Sequence, residues 1–475
     1  MKRLIRFPRH PDPSLQTLWE GTQLAVLLLP LSSLLSSVAI SLISLILLKF
    51  RFKSIARRAV NWGLWGVGLL MLLSSILAYQ PPEAWLGLAN FLPFFIVFAA
   101  LSELIQTPHQ LRRIAWLLVI SSVPVVLIGF GQQFWGWAGP VQVFGSIVNW
   151  TIHPGGNPLG RMASIFFYAN VLASFLVVSF ILNLGLLVEV SLSPQPIPEK
   201  QKDLETSHSS PTIHPSPVSP PYLRLFLALV LVGNAIALIF TNSRNAWAVA
   251  ILACLAFAFY QGWRWLLAGV AVVVGAVLGA AFAPSPLQQG LRAIVPAFFW
   301  ARLTDQLFPN RPFAELRTTQ WQFAWSLTQQ RPWLGWGLRN FSPLYQSQMQ
   351  FFIGHPHNLL LMLAAETGLP ATLLLLALVG WVVFRGASLV YRWPSFAPIE
   401  SSPAFTLPQN NGDRLILFTY LTAFLGCTLF SLLDITLFDV RINLLGWLLL
   451  AGIFGLVCAQ TKKKVGKGWS DGVME

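Results

Sequence analysis

The sequence predicts an all-α polytopic membrane protein of about twelve transmembrane helices with one large extracytoplasmic loop. Three observations predict it. Of the 475 residues, 55% are hydrophobic and only 10% are charged, against about 25% charged in a soluble globular chain. Mean hydropathy is +0.63. Several apolar runs approach or exceed the ~20 residues that cross a bilayer as helix, and they are continuous rather than alternating, which argues against a membrane β-barrel.

Charge orders the spans. The net charge of +14 would suggest nucleic acid in a soluble chain. Here the bias of Lys and Arg toward cytoplasmic loops accounts for much of it, and no nucleic-acid partner is expected. Lys2, Arg3, Arg6 and Arg9 place the N-terminus on the cytoplasmic side. Lys49, Arg51, Lys53, Arg57 and Arg58 bring the chain back there, so the apolar run 22–48 must leave and return as two short spans broken near residues 30–33. Spans at 60–79, 84–105, 114–135, 162–188, 223–241, 246–260, 265–283, 359–391, 415–433 and 442–459 then alternate. Lys462, Lys463, Lys464 and Lys467 end the chain inside.

The organisation that follows has six parts. Residues 1–188 are the first transmembrane helices, and 189–222 form a Pro/Ser-rich cytoplasmic linker, expected to be disordered. Residues 223–283 are further spans, 284–356 the large periplasmic loop, 357–460 the last spans and 461–475 a basic tail. All nine lysines fall inside, whereas Arg161, Arg244, Arg292, Arg302, Arg311, Arg317, Arg331, Arg339 and Arg441 fall outside or at the outer boundary. Guanidinium without lysine points to fork-shaped anion recognition, though a long exported loop also tolerates arginine. Cys254, Cys427 and Cys458 lie inside apolar spans with neither metal-ligand nor disulfide spacing. No cleavable signal peptide is expected, because the first apolar stretch runs past a signal h-region.

Four stretches carry side chains suited to chemistry. His355-Pro356-His357-Asn358 sits where the large loop re-enters an apolar span. An imidazole there can act as general base toward a hydroxyl, and Asn358 can orient it or hold a sugar hydroxyl. A capping or interfacial histidine is the plainer alternative. His355 is the weaker candidate, because Pro356 directs it away from the helix start. Thr241-Asn242-Ser243-Arg244-Asn245 marks an outer turn, where Arg244 can bind a diphosphate or simply snorkel. Arg161, in Asn157-Pro158-Leu159-Gly160-Arg161-Met162, can share that anion. Arg317, Trp321 and Trp325 recur every four residues and share one helical face. Arg317 can reach phosphate, while the tryptophans are read as one side of an amphipathic helix lying on the membrane. Asp434 and Asp439 flank a short outer hairpin with Arg441 nearby, and are expected to pair locally. No motif for a metal, a P-loop or a dinucleotide is present, so neither metal nor cofactor is expected. No internal repeat is seen, so a transporter built of inverted repeats gains no support.

With these stretches in place, the chain resembles the O-antigen ligase and O-antigen polymerase family. The family's ligases carry His-[Asn/Ser/Gln]-x9-Gly-x-x-Gly-Thr after a large periplasmic loop. His357-Asn358, nine residues, Gly368, Leu369-Pro370, Ala371 and Thr372 match it, with Ala371 in place of the second glycine. Thr241–Arg244 resembles the family's Ser-Arg element, and the stretches 316–325 and 331–337 resemble its loop signature. The resemblance implies a bacterial inner-membrane glycosyltransferase that needs no metal. It would move a glycan from an undecaprenyl-diphosphate donor to an acceptor hydroxyl on a glycan, lipid or protein. It assigns His357 to acceptor activation, and Arg161, Arg244 and Arg317 to the diphosphate. The domain is also similar to that of cyanobacterial proteins proposed to act in bicarbonate uptake, so a transporter or transport accessory is the alternative. A transporter should place charges near the middle of several spans. Glu366 is the main such charge here. An accessory subunit of glycan export, a third reading, would need none of His357, Arg244 or Arg317.

Overall fold

The computed structural model describes residues 9–143, 148–192, 221–297, 300–301, 304, 312–393 and 409–471. Most of the predicted 189–222 linker, Arg302, Arg311 and the N-terminal Lys2, Arg3 and Arg6 lie outside the described residues. The chain is helical almost throughout. In order it forms α1 (Gln16–Leu28), α2 (Ser33–Ala56), α3 (Ala59–Ile76), α4 (Pro81–Leu88), α5 (Leu92–Leu104) and α6 (Pro108–Phe134). A hairpin follows, β1 (Gly139–Val143) with β2 (Val148–Ile152), then α7 (Ala169–Leu192), α8 (Pro221–Phe240), α9 (Arg244–Gln261), α10 (Arg264–Phe282) and α11 (Leu287–Ile294). The last elements are α12 (Arg317–Gln330), α13 (Phe341–Met349), α14 (Leu359–Tyr391), α15 (Gln409–Ser431) and α16 (Val440–Asp471).

Among the described residues, ten helical segments are long and apolar enough to cross a membrane. They include α2, α3 and the α4–α5 pair, which crosses as one segment, Pro81–Leu104. Each of the twelve runs read from the sequence is helical, but two fall outside this set. α1 has 13 residues, roughly 20 Å at 1.5 Å per residue, against a ~30 Å hydrocarbon core. α9 carries Arg244, Asn245 and Gln261 at its ends, which lowers its apolarity. The break inside 22–48 falls where it was read, with Ser32 capping α2 through a bond from the Leu35 N–H at 3.3 Å. The hairpin in the 136–161 loop was not foreseen. It pairs Gly139 with Ile152 and Val143 with Val148, antiparallel, and its Trp150 indole donates to the Leu31 carbonyl at 2.6 Å, pinning the loop to the α1–α2 turn.

The core lies around α7 and α16, the two most buried spans. α7 packs against α6, α8, α9 and α15, and α16 against α5, α14 and α15. α7 brings Ala169, Ala173, Ser174 and Ser179 to these contacts, and all four are buried. Small residues let helix backbones approach where lipid supplies no hydrophobic drive. α10 is the opposite case: Trp265, Val272 and Val273 are exposed, as expected of a helix at the edge of the bundle facing acyl chains.

α14 is one long apolar run in sequence, but it is broken at Gly368 (φ 80, ψ 167). The break leaves backbone groups without helical partners, which is costly in lipid. The turn 331–337 of the large loop supplies them. Leu369 N–H donates to Pro332 O at 2.8 Å, Trp336 N–H to Ala365 O at 3.0 Å, and Gly337 N–H to Glu366 O at 2.8 Å. The Glu366 carboxylate accepts from Phe341 N–H at 3.1 Å, and Ser74 of α3 donates to the Glu366 carbonyl at 2.8 Å. The 332–341 part of the large loop is thereby fastened to the transmembrane bundle. Ala371 is fully buried just past the break, so the departure from the family pattern is a packing position.

Candidate functional site

The site is built at one end of α7, α9, α14 and α15. Asn358 caps α14, accepting from the Leu361 N–H at 3.0 Å, an arrangement that contributes about 1 kcal/mol. The residue before it, His357, has φ +52, in the sparsely populated left-handed region that histidine tolerates better than most side chains. That kink turns the imidazole back across the bundle. Two contacts hold the turn. His357 N–H donates to His355 Nδ1 at 3.2 Å, and the Trp321 indole of α12 donates to the Pro356 carbonyl at 3.0 Å. Trp321 therefore anchors the histidine turn, while Trp325 is exposed.

His357 Nδ1 lies 2.9 Å from Asp434 Oδ1. An ionised carboxylate only accepts, so Nδ1 carries the proton, and in the neutral imidazole Nε2 holds the lone pair. Asp434 is buried just past the end of α15, its own N–H bonded to Phe430 O at 2.9 Å. Asn170, in the first turn of α7, bridges the other carboxylate oxygen to Arg161: its amide donates to Asp434, and its carbonyl accepts from the Arg161 guanidinium. Arg161 also donates to the Thr241 carbonyl at 2.8 Å. One continuous chain of bonds thus runs His357–Asp434–Asn170–Arg161–Thr241.

The structure brings His355, His357 and Arg161 together around Asp434. Arg317 opens α12, and its charge acts on both His355 and Asp434. Arg244, exposed, opens α9, where neighbouring Asn245 donates to Phe430 O at 2.8 Å, four residues before Asp434. The expected pairing of Asp434 with its own hairpin is corrected. Asp439 does pair locally, accepting from Arg441 Nε at 2.9 Å, but Asp434 turns away to His357. Sequence reading noticed Asp434 yet missed its role, and passed over Asn170. The partners are far apart in the chain, so no spacing could reveal them. The remaining signal was an acidic residue and an asparagine each at the outer edge of an apolar span.

The electrostatics follow from this packing. Burial opposes the charge of Asp434, but the hydrogen bond from His357, then the charge of His357 and His355 in their protonated forms and of Arg317, outweigh it and hold Asp434 below its ordinary value. Burial, then the neighbouring His357, pushes His355 down to about 4. Because the unfolded chain would protonate His355 near 6.5, stability is full above that pH. It falls as the pH drops through the window from about 6.5 to about 4, where the unfolded state holds the extra proton. The loss is roughly 3 kcal/mol at most. The melting temperature of the wild type in detergent should therefore fall between pH 7 and pH 5 more than that of His355→Gln; equal slopes would contradict this account.

Ligand atoms of His355, His357 and Asp434 all lie within 4.8 Å of one another, close enough to share a metal ion. His357 Nδ1 faces the carboxylate at 2.9 Å and His355 Nε2 lies 4.0 Å from it, while His355 Nδ1 accepts from the His357 N–H. A cation bound through His357 Nδ1 would displace the proton that orients that ring.

Residues 227–376 match the sequence profile of the family described as O-antigen ligase. This stretch, less than half of the chain, is similar to the O-antigen ligase family. No curated protein sequence matches the chain. The O-antigen ligase stretch runs from α8 into α14 and holds Arg244, Arg317, His355, His357 and Asn358. Arg161, Asn170 and Asp434, which complete the bonded chain, lie outside it.

Proposed function

We propose that this chain is a metal-independent glycosyltransferase of the O-antigen ligase or polymerase type. It acts at the outer face of a bacterial inner membrane, with both termini cytoplasmic. The donor is a glycan on a lipid diphosphate of the undecaprenyl kind, and the acceptor is a hydroxyl of a glycan, lipid or protein. The observation that carries this reading is the 2.9 Å contact between His357 Nδ1 and Asp434, which leaves Nε2 as a base. In the reaction, Nε2 takes the acceptor's hydroxyl proton while the oxygen bonds to the donor's anomeric carbon. The bond from that carbon to the diphosphate oxygen breaks, and the lipid diphosphate leaves with the electron pair. Arg161, Arg244 and Arg317 stabilise that developing charge, the kind of contribution that often dominates catalysis. Asp434 keeps His357 in the productive tautomer and stabilises it once protonated. His355 and Asn358 shape the turn that presents His357 to the acceptor.

Glu366, the mid-span acid that a transport path would use, is instead committed to Phe341 N–H, which supports transfer over transport. The test is envelope glycan profiling of a deletion strain complemented with wild type, His357→Ala or Arg244→Ala. Loss of long surface polysaccharide that only the wild type restores, with all chains reaching the membrane, is the expected result. An unchanged profile in the deletion strain would sink the reading for those glycans and make inorganic-carbon uptake the next assay. A separate check concerns metal. Transfer by the purified chain should proceed at an unchanged rate in excess chelator; a loss reversed by one added divalent ion would move the His355–His357–Asp434 group from base to metal site.

A further inference from the structure

The largest cavity described, about 1370 Å³, lies far from His357. It is lined by the end of α2, the start of α3, the second half of α14 and the end of the apolar part of α16. α14 begins beside His357, and Arg385 is roughly 40 Å further along it at 1.5 Å per residue. The cavity therefore belongs to the opposite end of the bundle, the end that the lysine count marks as cytoplasmic.

Six cations line it: Lys49, Arg51, Lys53, Arg57, Arg58 and Arg385, with no acidic residue among the lining. Arg51 is paired with Asp12 and Arg58 with Glu103. Among the described residues, Lys49, Lys53, Arg57 and Arg385 are in no ion pair. Apart from Ser54 and Thr461, the remaining walls are apolar and aromatic. Arg385 lies over Trp381 at 5.2 Å, and Arg58 over Phe454 at 5.6 Å. Phe50 and Phe52 on the rim are exposed. The α2 helix is kinked at Arg51 (φ −117, ψ 19), which separates its last turn from the apolar stretch before it and sets that turn along the rim. The volume exceeds the ~300–1,000 Å³ of a typical small-ligand pocket.

We propose that this cavity binds one anionic phospholipid of the adjoining leaflet. Its headgroup phosphate lies among Lys53, Arg57 and Arg385, and its acyl chains run along the aromatic wall. Unpaired cations beside apolar walls at a helix-bundle end match a molecule that is anionic at one end and apolar at the other. A soluble anion would leave the aromatic walls unused, and a zwitterionic lipid would leave the cations uncompensated. The assignment is independent of the transfer reaction proposed above.

Native mass spectrometry of the full chain in detergent tests it, with phosphatidylglycerol or phosphatidylcholine added in turn and inorganic phosphate as competitor. Phosphatidylglycerol should be retained in preference to phosphatidylcholine. Arg57→Gln with Arg385→Gln should weaken that binding by roughly 30-fold, while Arg264→Gln, an exposed cation outside the cavity, leaves it unchanged. Equal retention of both lipids by the wild type overturns the proposal. So does a preference that survives in the double variant, or displacement of the lipid by millimolar phosphate. If the double variant does not accumulate, the lipid comparison in the wild type and in Arg385→Gln alone decides.

Discussion

Replacing His357 by alanine is expected to lower glycan transfer by about 10²–10⁴-fold while the chain still accumulates in the membrane. The proton on the acceptor hydroxyl needs a base at neutral pH, and Nε2 of His357 is the lone pair that the bonded chain leaves open. Asp434→Asn should fall in the same range for a different reason. An amide can donate to Nδ1 as well as accept, so the imidazole loses the enforced tautomer and the charge that steadies its protonated form. The two substitutions act on one unit, so the double variant should be little worse than either alone. Transfer rates of the purified variants, with membrane levels measured alongside, check this. Near-wild-type rates for His357→Ala would remove the base, and multiplicative losses in the double variant would separate His357 from Asp434.

Gly368→Ala is expected to be strongly destabilising, costing about 3 kcal/mol or more. At φ 80 and ψ 167 the backbone occupies a region that is essentially glycine's alone. A Cβ there would stand 2.3 Å from the Trp333 carbonyl oxygen and 2.8 Å from Leu334 N. Gly335, across the same contact, would place a Cβ 2.5 Å from the Glu366 carbonyl. The glycines let two backbones touch where the loop replaces the helix's lost hydrogen bonds. Gly380→Ala in the same helix has open space at the Cβ and should be neutral or slightly stabilising. Melting temperatures and membrane levels of the two variants read the contrast; similar behaviour would mean that the break does not depend on Gly368. The substitution should also reduce transfer, because the docked loop carries α12, whose Trp321 holds the histidine turn.

Much was legible from the chain alone. Apolar runs and basic clusters are local properties, and a bilayer leaves a backbone few options, so the helices and their order follow from composition and charge. The position of His357 beside a helix start was likewise legible, because Asn358 before an apolar run is a cap, as was the shared face of Arg317 and Trp321 on α12. What only the tertiary structure decided was partnership. Asp434 lies 77 residues from His357, and Asn170 lies 264 residues from Asp434; no local pattern distinguishes a carboxylate that pairs with Arg441 from one that crosses to another helix. The break in α14 was signalled by Gly368 and Pro370, but the partners that make it tolerable were not. Leu359–Tyr391 reads as one span, and Gly368 can open it because the 331–337 turn arrives to satisfy the freed backbone groups. Hydropathy is set residue by residue, whereas a hydrogen bond needs two groups brought within 3 Å, and only packing places them there.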